Sequence, residues 1–342
     1  MMRTSMASCN QSLPNLAECV SGTIELDSPF RLTFGQELLS AFVSYTLYGD
    51  LTKPLVLVLG GISADQYVAD TNIEGIFVKG WWDPLIGYGK AIDLNRYCVL
   101  SFDYLDGQSG TLKCPLHQDI NISTFDQATV INQLMNHLGI DRLAAAIGSS
   151  YGGMVALAFA EKYPDRVEQL IAICCNQKSD ARNTAIRQLQ RDILQFASAA
   201  GDNRQGLILA RSLAMLGYRG AEELEKRFPN QINFDNSEYD FPVVGYLKAQ
   251  GEKFADRFCS QRFLNLSLSV DLHQIDPTNI KSTCLLVAIQ GDLIAPPECI
   301  SQLSKSIGLN ASYSLIQSDV GHDGFLKEFE QISQLIKSRI GT

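Results

Sequence analysis

Gly148-Ser149-Ser150-Tyr151-Gly152-Gly153 lies between the apolar run Leu143 to Ile147 and the segment Met154 to Lys162. The first flank predicts a short buried strand and the second a helix. A sharp strand-to-helix turn is therefore wanted at Ser150. Gly148 and Gly152 remove Cβ atoms that would collide in so tight a reversal, while Ser150 itself is forced into a strained backbone conformation. Such a turn lifts the serine hydroxyl clear of the sheet and aims the unpaired N–H groups of the helix start at whatever the oxygen attacks. Gly153 would let the helix pack closely on the sheet. The pattern Gly-x-Ser-x-Gly alone is common, and it is the strand before and the helix after that make it a nucleophile elbow.

Upstream, Thr23 to Leu26 and Leu39 to Leu47 read as antiparallel strands. Pro54 to Leu59 is continuously apolar, as expected of a strand covered on both faces in a parallel sheet. It ends in Gly60-Gly61-Ile62-Ser63, either a place for a backbone N–H to approach a ligand or a plain strand-ending turn. A long loop, Asp65 to Ile92, carries both tryptophans, Trp81 and Trp82, which would wall a pocket or plug a core edge. Arg96 to Phe102 is the next strand. A helix over Ser123 to Leu138 opens with a capping signal. The strand-helix alternation predicts an α/β fold with a mostly parallel sheet and helices on both faces. After a strand at Arg166 to Cys174, helical periodicity runs from Asn176 to Ser269 without a convincing strand, the mark of an inserted helical lid. Strands resume at Ser282 to Ile289 and Ser312 to Ile316, and a last helix is expected over Asp323 to Ile340. The domain plan is a tail over 1–22, a core over 23–175 and 271–342, and a lid over 176–270.

The 342 residues suit one domain with a large insertion. A formal net charge of −9 without clusters of Lys and Arg argues against a nucleic-acid surface. The nine cysteines include no Cys-x-x-Cys pair, so no metal site is expected and reduced thiols point to the cytoplasm. The first residues read as a loose tail rather than a signal peptide, and no run reaches membrane-spanning length.

A serine hydroxyl needs a base, and the base an orienting acid. Of the four histidines, His117 lies in a polar loop, His137 near a helix end, and His273 in the return from the lid. His322 follows the last strand, so its loop shares the C-terminal sheet edge with Ser150. Asp292, after Gly291 at the end of the preceding strand, completes the order Ser150, Asp292, His322. Taken singly, Asp292 could be a turn or cap residue and His322 a solvated loop histidine; three in this order, each behind a strand, are read as a triad. The backbone N–H of Tyr151 and one from Gly61 or Ile62 are the expected oxyanion donors.

At this point the chain resembles the homoserine O-acyltransferases, a family of the α/β-hydrolase fold. The resemblance spans about Leu57 to Phe325 and rests on Gly80-Trp81-Trp82-Asp83, Gly87 to Asp93, Ser150 to Ala156, Gln190-Arg191, Gly206-Leu207, Tyr246-Leu247 with Gly251, and Asp271-Leu272-His273. It implies a helical lid over a tunnel, a homodimer formed through lid helices, and ping-pong acyl transfer through acyl-Ser150. No cofactor is held permanently; succinyl-CoA or acetyl-CoA is the co-substrate and L-homoserine the acceptor, with neither nucleic acid nor membrane as partner. It also implies that Arg191 meets the homoserine carboxylate and Asp323 its ammonium, roles that suit a zwitterion. The chain departs from the family at Gly110 to Pro115, at Gly60-Gly61 and at Tyr151. Leu59 to Ser63, Tyr151 and Gly321 to Lys327 look like a branch associated with O-succinyl transfer, which favours succinyl over acetyl. Serine as acceptor, or water in an esterase or thioesterase, are the rival readings.

Overall fold

Leu55–Leu59 is buried at every position, so both faces of this strand are covered, and it forms the middle of an eight-stranded sheet. The computed structural model of the chain describes residues 16–106, 120–228, 233–235 and 238–341; His117 and the departure at 110–115 lie outside them. In chain order the strands of the sheet are β1 (Cys19–Glu25), β2 (Phe42–Tyr48), β3 (Leu55–Leu59), β4 (Cys98–Phe102), β5 (Leu143–Ser149), β6 (Val167–Ile173), β7 (Thr283–Ile289) and β8 (Ala311–Ile316). They lie in the order β1-β2-β4-β3-β5-β6-β7-β8. The β1/β2 and β2/β4 pairs are antiparallel and every other pair is parallel. The parallel strands therefore deliver their following loops to one edge, which is where Ser150, Asp292 and His322 are carried.

Helix α1 (Thr124–His137) starts at Ser123, whose hydroxyl accepts from the Asp126 N–H while the Asp126 carboxylate accepts from the Ser123 N–H. This reciprocal cap is what the sequence signal promised. Helix α2 (Tyr151–Lys162) is buried from Tyr151 through Ala160; a helix apolar all round belongs in the core. Between β6 and β7 the chain forms α3 (Ala181–Ala199), α4 (Asn203–Tyr218), α5 (Ala221–Arg227), α6 (Pro242–Ala255) and α7 (Ser260–Asp271). Leu194, Leu207, Ala210, Phe254, Phe263 and Leu266 are buried among them and join the main core, so the lid is seated on the sheet domain by apolar packing. Helices α8 (Pro297–Ile307) and α9 (Phe329–Ile340) complete the core, each burying one apolar stripe.

Three expectations are corrected. The tail ends earlier than residue 22, because β1 begins at Cys19; as an outer strand it is largely exposed and shows little apolar alternation to read. Within the lid, Asn233–Asp235 pairs with Glu238–Asp240 as a small hairpin, each strand too short for a period to register. The last helix does not start at Asp323: Gly321–Leu326 is a 3-10 turn and α9 follows it. Lys327 at φ −131, ψ −43 and Glu328 at φ −84, ψ 47 leave helical geometry inside the expected span, so the α-helix can begin only after them.

Candidate active site

Ser150 has φ 54 and ψ −122, a strained conformation for a side chain with a Cβ, costing on the order of 1–3 kcal/mol. The surroundings impose it. A Cβ at Gly148 would lie 2.2 Å from the Gly152 carbonyl oxygen, and one at Gly152 would lie 2.5 Å from Leu59 backbone atoms. The Gly152 N–H donates to the Gly60 carbonyl at 2.9 Å, tying the elbow to the turn after β3, and the Ser150 N–H donates to Ile173 at 2.8 Å. With both neighbours fixed, the Ser150 side chain projects into the cavity under the lid.

The Ser150 hydroxyl lies 2.8 Å from Nε2 of His322, and Nδ1 of His322 lies 2.7 Å from Oδ2 of Asp292. An ionised carboxylate only accepts, so Nδ1 carries the ring proton and donates it to Asp292; Nε2 is then the acceptor for the Ser150 hydroxyl. Oδ1 of Asp292 accepts from the N–H groups of Ile294 and Ala295 at 2.8 and 2.9 Å, which fixes the carboxylate plane. Burial pulls the His322 imidazole down, but the charge of Asp292 and its hydrogen bond more than reverse this, leaving the ring above its ordinary value. Asp323 adds in the same direction and Arg187 opposes it. Tyr218, at the end of α4, stacks on the ring with centroids 5.7 Å apart, and Phe325 meets it edge-on at 6.0 Å. The base is thus boxed by the lid on one side and its own loop on another. This chain of contacts can move a proton from the serine to the imidazole while the acid holds the charge that appears.

Tyr151 opens α2, and the first N–H groups of a helix have no partner within it. Its side chain is buried, with its hydroxyl 2.7 Å from the Ser269 hydroxyl. Across the cavity, a Cβ at Gly61 would lie 4.0 Å from that of Ser150, and Ile62 lines the cavity wall. The turn after β3 and the start of α2 therefore flank the nucleophile, as an oxyanion site requires.

The two residues expected to hold the amino acid are placed differently. Arg191 is buried with its guanidinium spent on Asp271 at 2.7 Å, Ser267 at 3.0 Å and Gln188 at 2.8 Å, and it does not line the cavity over Ser150. Arg187, one turn earlier on α3, does line it, together with Ile62, Tyr218, Phe263, Val270 and Ile294. Asp323 sits beside His322 in sequence but pairs with Arg219 at 3.2 Å. Neither Arg187 nor Arg219 was singled out from the sequence. The i, i+4 spacing of Arg187 and Arg191 was a usable signal, since it puts both on one helix face; nothing comparable marked Arg219.

The other histidines have different work. His273 is buried, with Nδ1 2.7 Å from the Thr124 hydroxyl and Nε2 3.1 Å from the Asn176 carbonyl, and burial pushes it down to about 4. It is a neutral tie between α1 and the lid return. His137 is exposed at the end of α1. Trp82 is fully buried and its indole N–H donates to the Phe325 carbonyl at 3.0 Å, bracing the His322 turn; Trp81 stacks on it. They plug the core beside the site. Among the described residues, Cys174, Asp292 and His322 are the one group whose donor atoms lie within 4.8 Å. Burial holds the Cys174 thiol well above its usual range and His322 is engaged on both nitrogens, a set suited to proton transfer rather than to an ion.

Residues 54–329 match the family model described as alpha/beta hydrolase fold. The chain is 34% identical over 323 residues to a homoserine O-succinyltransferase of Xanthomonas campestris pv. campestris, covering 94% of this chain and 84% of the relative. It is 29% identical to a homoserine O-acetyltransferase of Moorella thermoacetica, covering 90% and 92%. The homoserine O-acetyltransferase of Bacillus anthracis superposes with a TM-score of 0.86 at 20% identity over 95% of this chain and 98% of that one, a likeness of fold. With the elbow, the sheet order and the lid in hand, the chain belongs to the homoserine O-acyltransferases of the α/β-hydrolase fold.

Proposed function

We propose that this enzyme moves an acyl group, succinyl in preference to acetyl, from coenzyme A to the hydroxyl of L-homoserine through an acyl-Ser150 intermediate, feeding methionine biosynthesis. The observation that carries the reading is the Ser150–His322–Asp292 hydrogen-bonded line, closed beneath a lid in a chain of this family. In the first half-reaction the Ser150 proton passes to Nε2 of His322 as the oxygen attacks the thioester carbonyl. The tetrahedral oxyanion is met by the N–H groups of Tyr151 and of Gly61 or Ile62, and the carbon–sulfur bond breaks as His322 returns the proton to the departing thiolate. In the second, His322 takes the homoserine hydroxyl proton, the oxygen attacks the acyl-serine, and Ser150 leaves reprotonated.

Asp323, next to the base, suits the ammonium of the acceptor, with Arg219 holding it in place. Arg191, held behind Asp271, reaches the acceptor carboxylate only if that network rearranges. The succinyl preference is supported by the succinyl-transferring relative and by the cation at the cavity wall. The seven described cysteines are free, which supports a reducing cytoplasm. Incubating the enzyme with succinyl-CoA should release coenzyme A stoichiometrically, and turnover should need homoserine and yield the ester. Free succinate formed as fast without homoserine as with it would make the enzyme a hydrolase and sink this reading.

Leu189 and Phe196 on α3, seven residues apart, and Leu209 and Leu216 on α4, also seven apart, are exposed, Phe196 at 82%. Apolar rows of this kind support pairing of two lids into a homodimer. Sedimentation at micromolar concentration should give twice the chain mass, and Phe196→Glu should shift it toward monomer. A wild-type monomer would count against the dimer.

A further inference from the structure

Gly60 follows the last residue of β3, and its carbonyl is turned toward two buried donors. The Tyr104 hydroxyl donates to that oxygen at 2.6 Å and the Gly152 N–H at 2.9 Å. A Cβ at Gly60 would lie 2.5 Å from the Ala64 Cβ and 2.8 Å from the Trp81 ring, so the turn has no room to roll sideways. Tyr104 is itself fixed. Its side chain is fully buried, and its ring stands edge-on to Phe102 at 5.7 Å and to Tyr151 at 4.8 Å. Burial holds the phenol well above its ordinary value, so near neutrality it stays protonated and remains a donor. One side chain, two residues past β4, thus touches both segments that flank the nucleophile. It reaches the turn after β3 through its oxygen and the first residue of α2 through its ring.

We propose that Tyr104 is a positioning residue of the oxyanion site, its hydroxyl setting the Gly60–Gly61 peptide so that the Gly61 N–H faces the oxygen formed when Ser150 attacks. The inference rests on the acyl-serine reading above and names a side chain that acts on its transition state. A trans peptide is planar, and its C=O and N–H point in opposite directions. Holding the Gly60 carbonyl on Tyr104 and Gly152 therefore holds the Gly61 N–H on the other side of the turn. Gly61 is the residue there that approaches the nucleophile, a Cβ on it lying 4.0 Å from that of Ser150. Among the described residues no acceptor meets its N–H. The phenol also polarises the peptide, because O–H, C=O, N–H and the developing anion form one line in which each hydrogen bond strengthens the next. A thioester oxygen carries little charge before attack, so the gain falls on the tetrahedral state rather than on binding. This makes Gly61, rather than Ile62, the donor on this side.

The test deletes one oxygen. Tyr104→Phe keeps the ring, and the Gly60 carbonyl keeps its Gly152 donor. Tyr48→Phe is the control, since it removes another buried hydroxyl, one that accepts from the Val68 N–H and donates to the Ala69 carbonyl. On each protein we would measure the single-turnover rate of Ser150 acylation by a saturating thioester, using whichever of succinyl-CoA and acetyl-CoA acylates the wild type. Beside it stand the Kd of coenzyme A and the inhibition constant of a fluoroketone analogue whose thioester sulfur is replaced by a difluoromethylene group. Ser150 adds to that ketone carbon, its proton passes to Nε2 of His322, and the ketone oxygen becomes an anion with no group to expel. Tyr104→Phe should slow acylation about 10-fold and weaken the fluoroketone by the same factor, less than the roughly 10²- to 10³-fold that follows loss of an oxyanion donor itself. Coenzyme A affinity, which reports folding, should stay within about twofold, and Tyr48→Phe should leave all three readings within about twofold. Acylation at the wild-type rate in Tyr104→Phe, equal losses for coenzyme A and the fluoroketone, or the same losses in Tyr48→Phe overturn the assignment and leave the acyl-serine reading standing. A wild type that gains no acyl group from either thioester brings down that reading, and the assignment with it.

Discussion

Ser150→Ala should abolish acyl transfer, with the turnover rate down by about 10⁴-fold or more, and should leave no acyl adduct on the protein after incubation with the thioester. The expectation follows from geometry. Ser150 is the side chain 2.8 Å from Nε2 of His322, and the elbow places it between the start of α2 and the turn after β3. Alanine preserves the backbone that the glycines and β3 impose and removes one oxygen. The oxyanion donors and the thioester site stay, so weak residual thioester cleavage by water is allowed; a covalent intermediate is not. Intact-protein mass spectrometry distinguishes the cases: the wild type should gain the mass of the acyl group and the variant should not. The variant should fold as the wild type does, because the lost contact faces a cavity rather than the core. An acyl adduct on the variant, or transfer within tenfold of wild type, would mean that some other group takes the acyl chain.

How far the sequence foretold this site depends on what kind of contact each part needs. The elbow was legible because its causes are local: a strand, two glycines and a helix within twenty residues, each with its own periodicity. Asp292 and His322 were legible because a parallel sheet sends every post-strand loop to one edge, so order along the chain stood in for proximity. The lid was legible as helices but not as a surface. Its face toward Ser150 depends on how α3, α4 and α7 pack on one another, and periodicity identifies a helix's apolar side without saying which cavity that side closes. Hence periodicity does not separate Arg187, which lines the cavity, from Arg191, whose role at the substrate is implied by the family resemblance alone, although Asp271 ties both into one network. Tyr218 stacking on His322 was likewise out of reach, since it joins a lid helix end to a loop more than a hundred residues away.

Asp292→Asn should cost nearly as much as loss of the nucleophile, about 10⁴-fold in kcat/KM, although it changes no shape. Oδ1 of Asp292 is fixed by the Ile294 and Ala295 N–H groups, and the oxygen of an asparagine would stay with those two donors. Its NH₂ group would then face Nδ1 of His322, a donor where the imidazole now needs an acceptor. The ring can answer only by moving its proton to Nε2, which turns an N–H toward Ser150 in place of a lone pair. The serine loses its base while every atom keeps its position. The same substitution should move the acid limb of the pH profile. Burial alone lowers the His322 pKa, and it is the Asp292 charge with its hydrogen bond that carries it above the ordinary value. Activity in the wild type therefore falls as pH drops through a value above that of a free imidazole, where the base becomes protonated. Without the carboxylate the burial effect is left less opposed, so the residual activity of Asp292→Asn should persist to lower pH than in the wild type. An unshifted acid limb would assign it to another group, and a loss of less than tenfold would show that the imidazole does not need this acid to hold its tautomer.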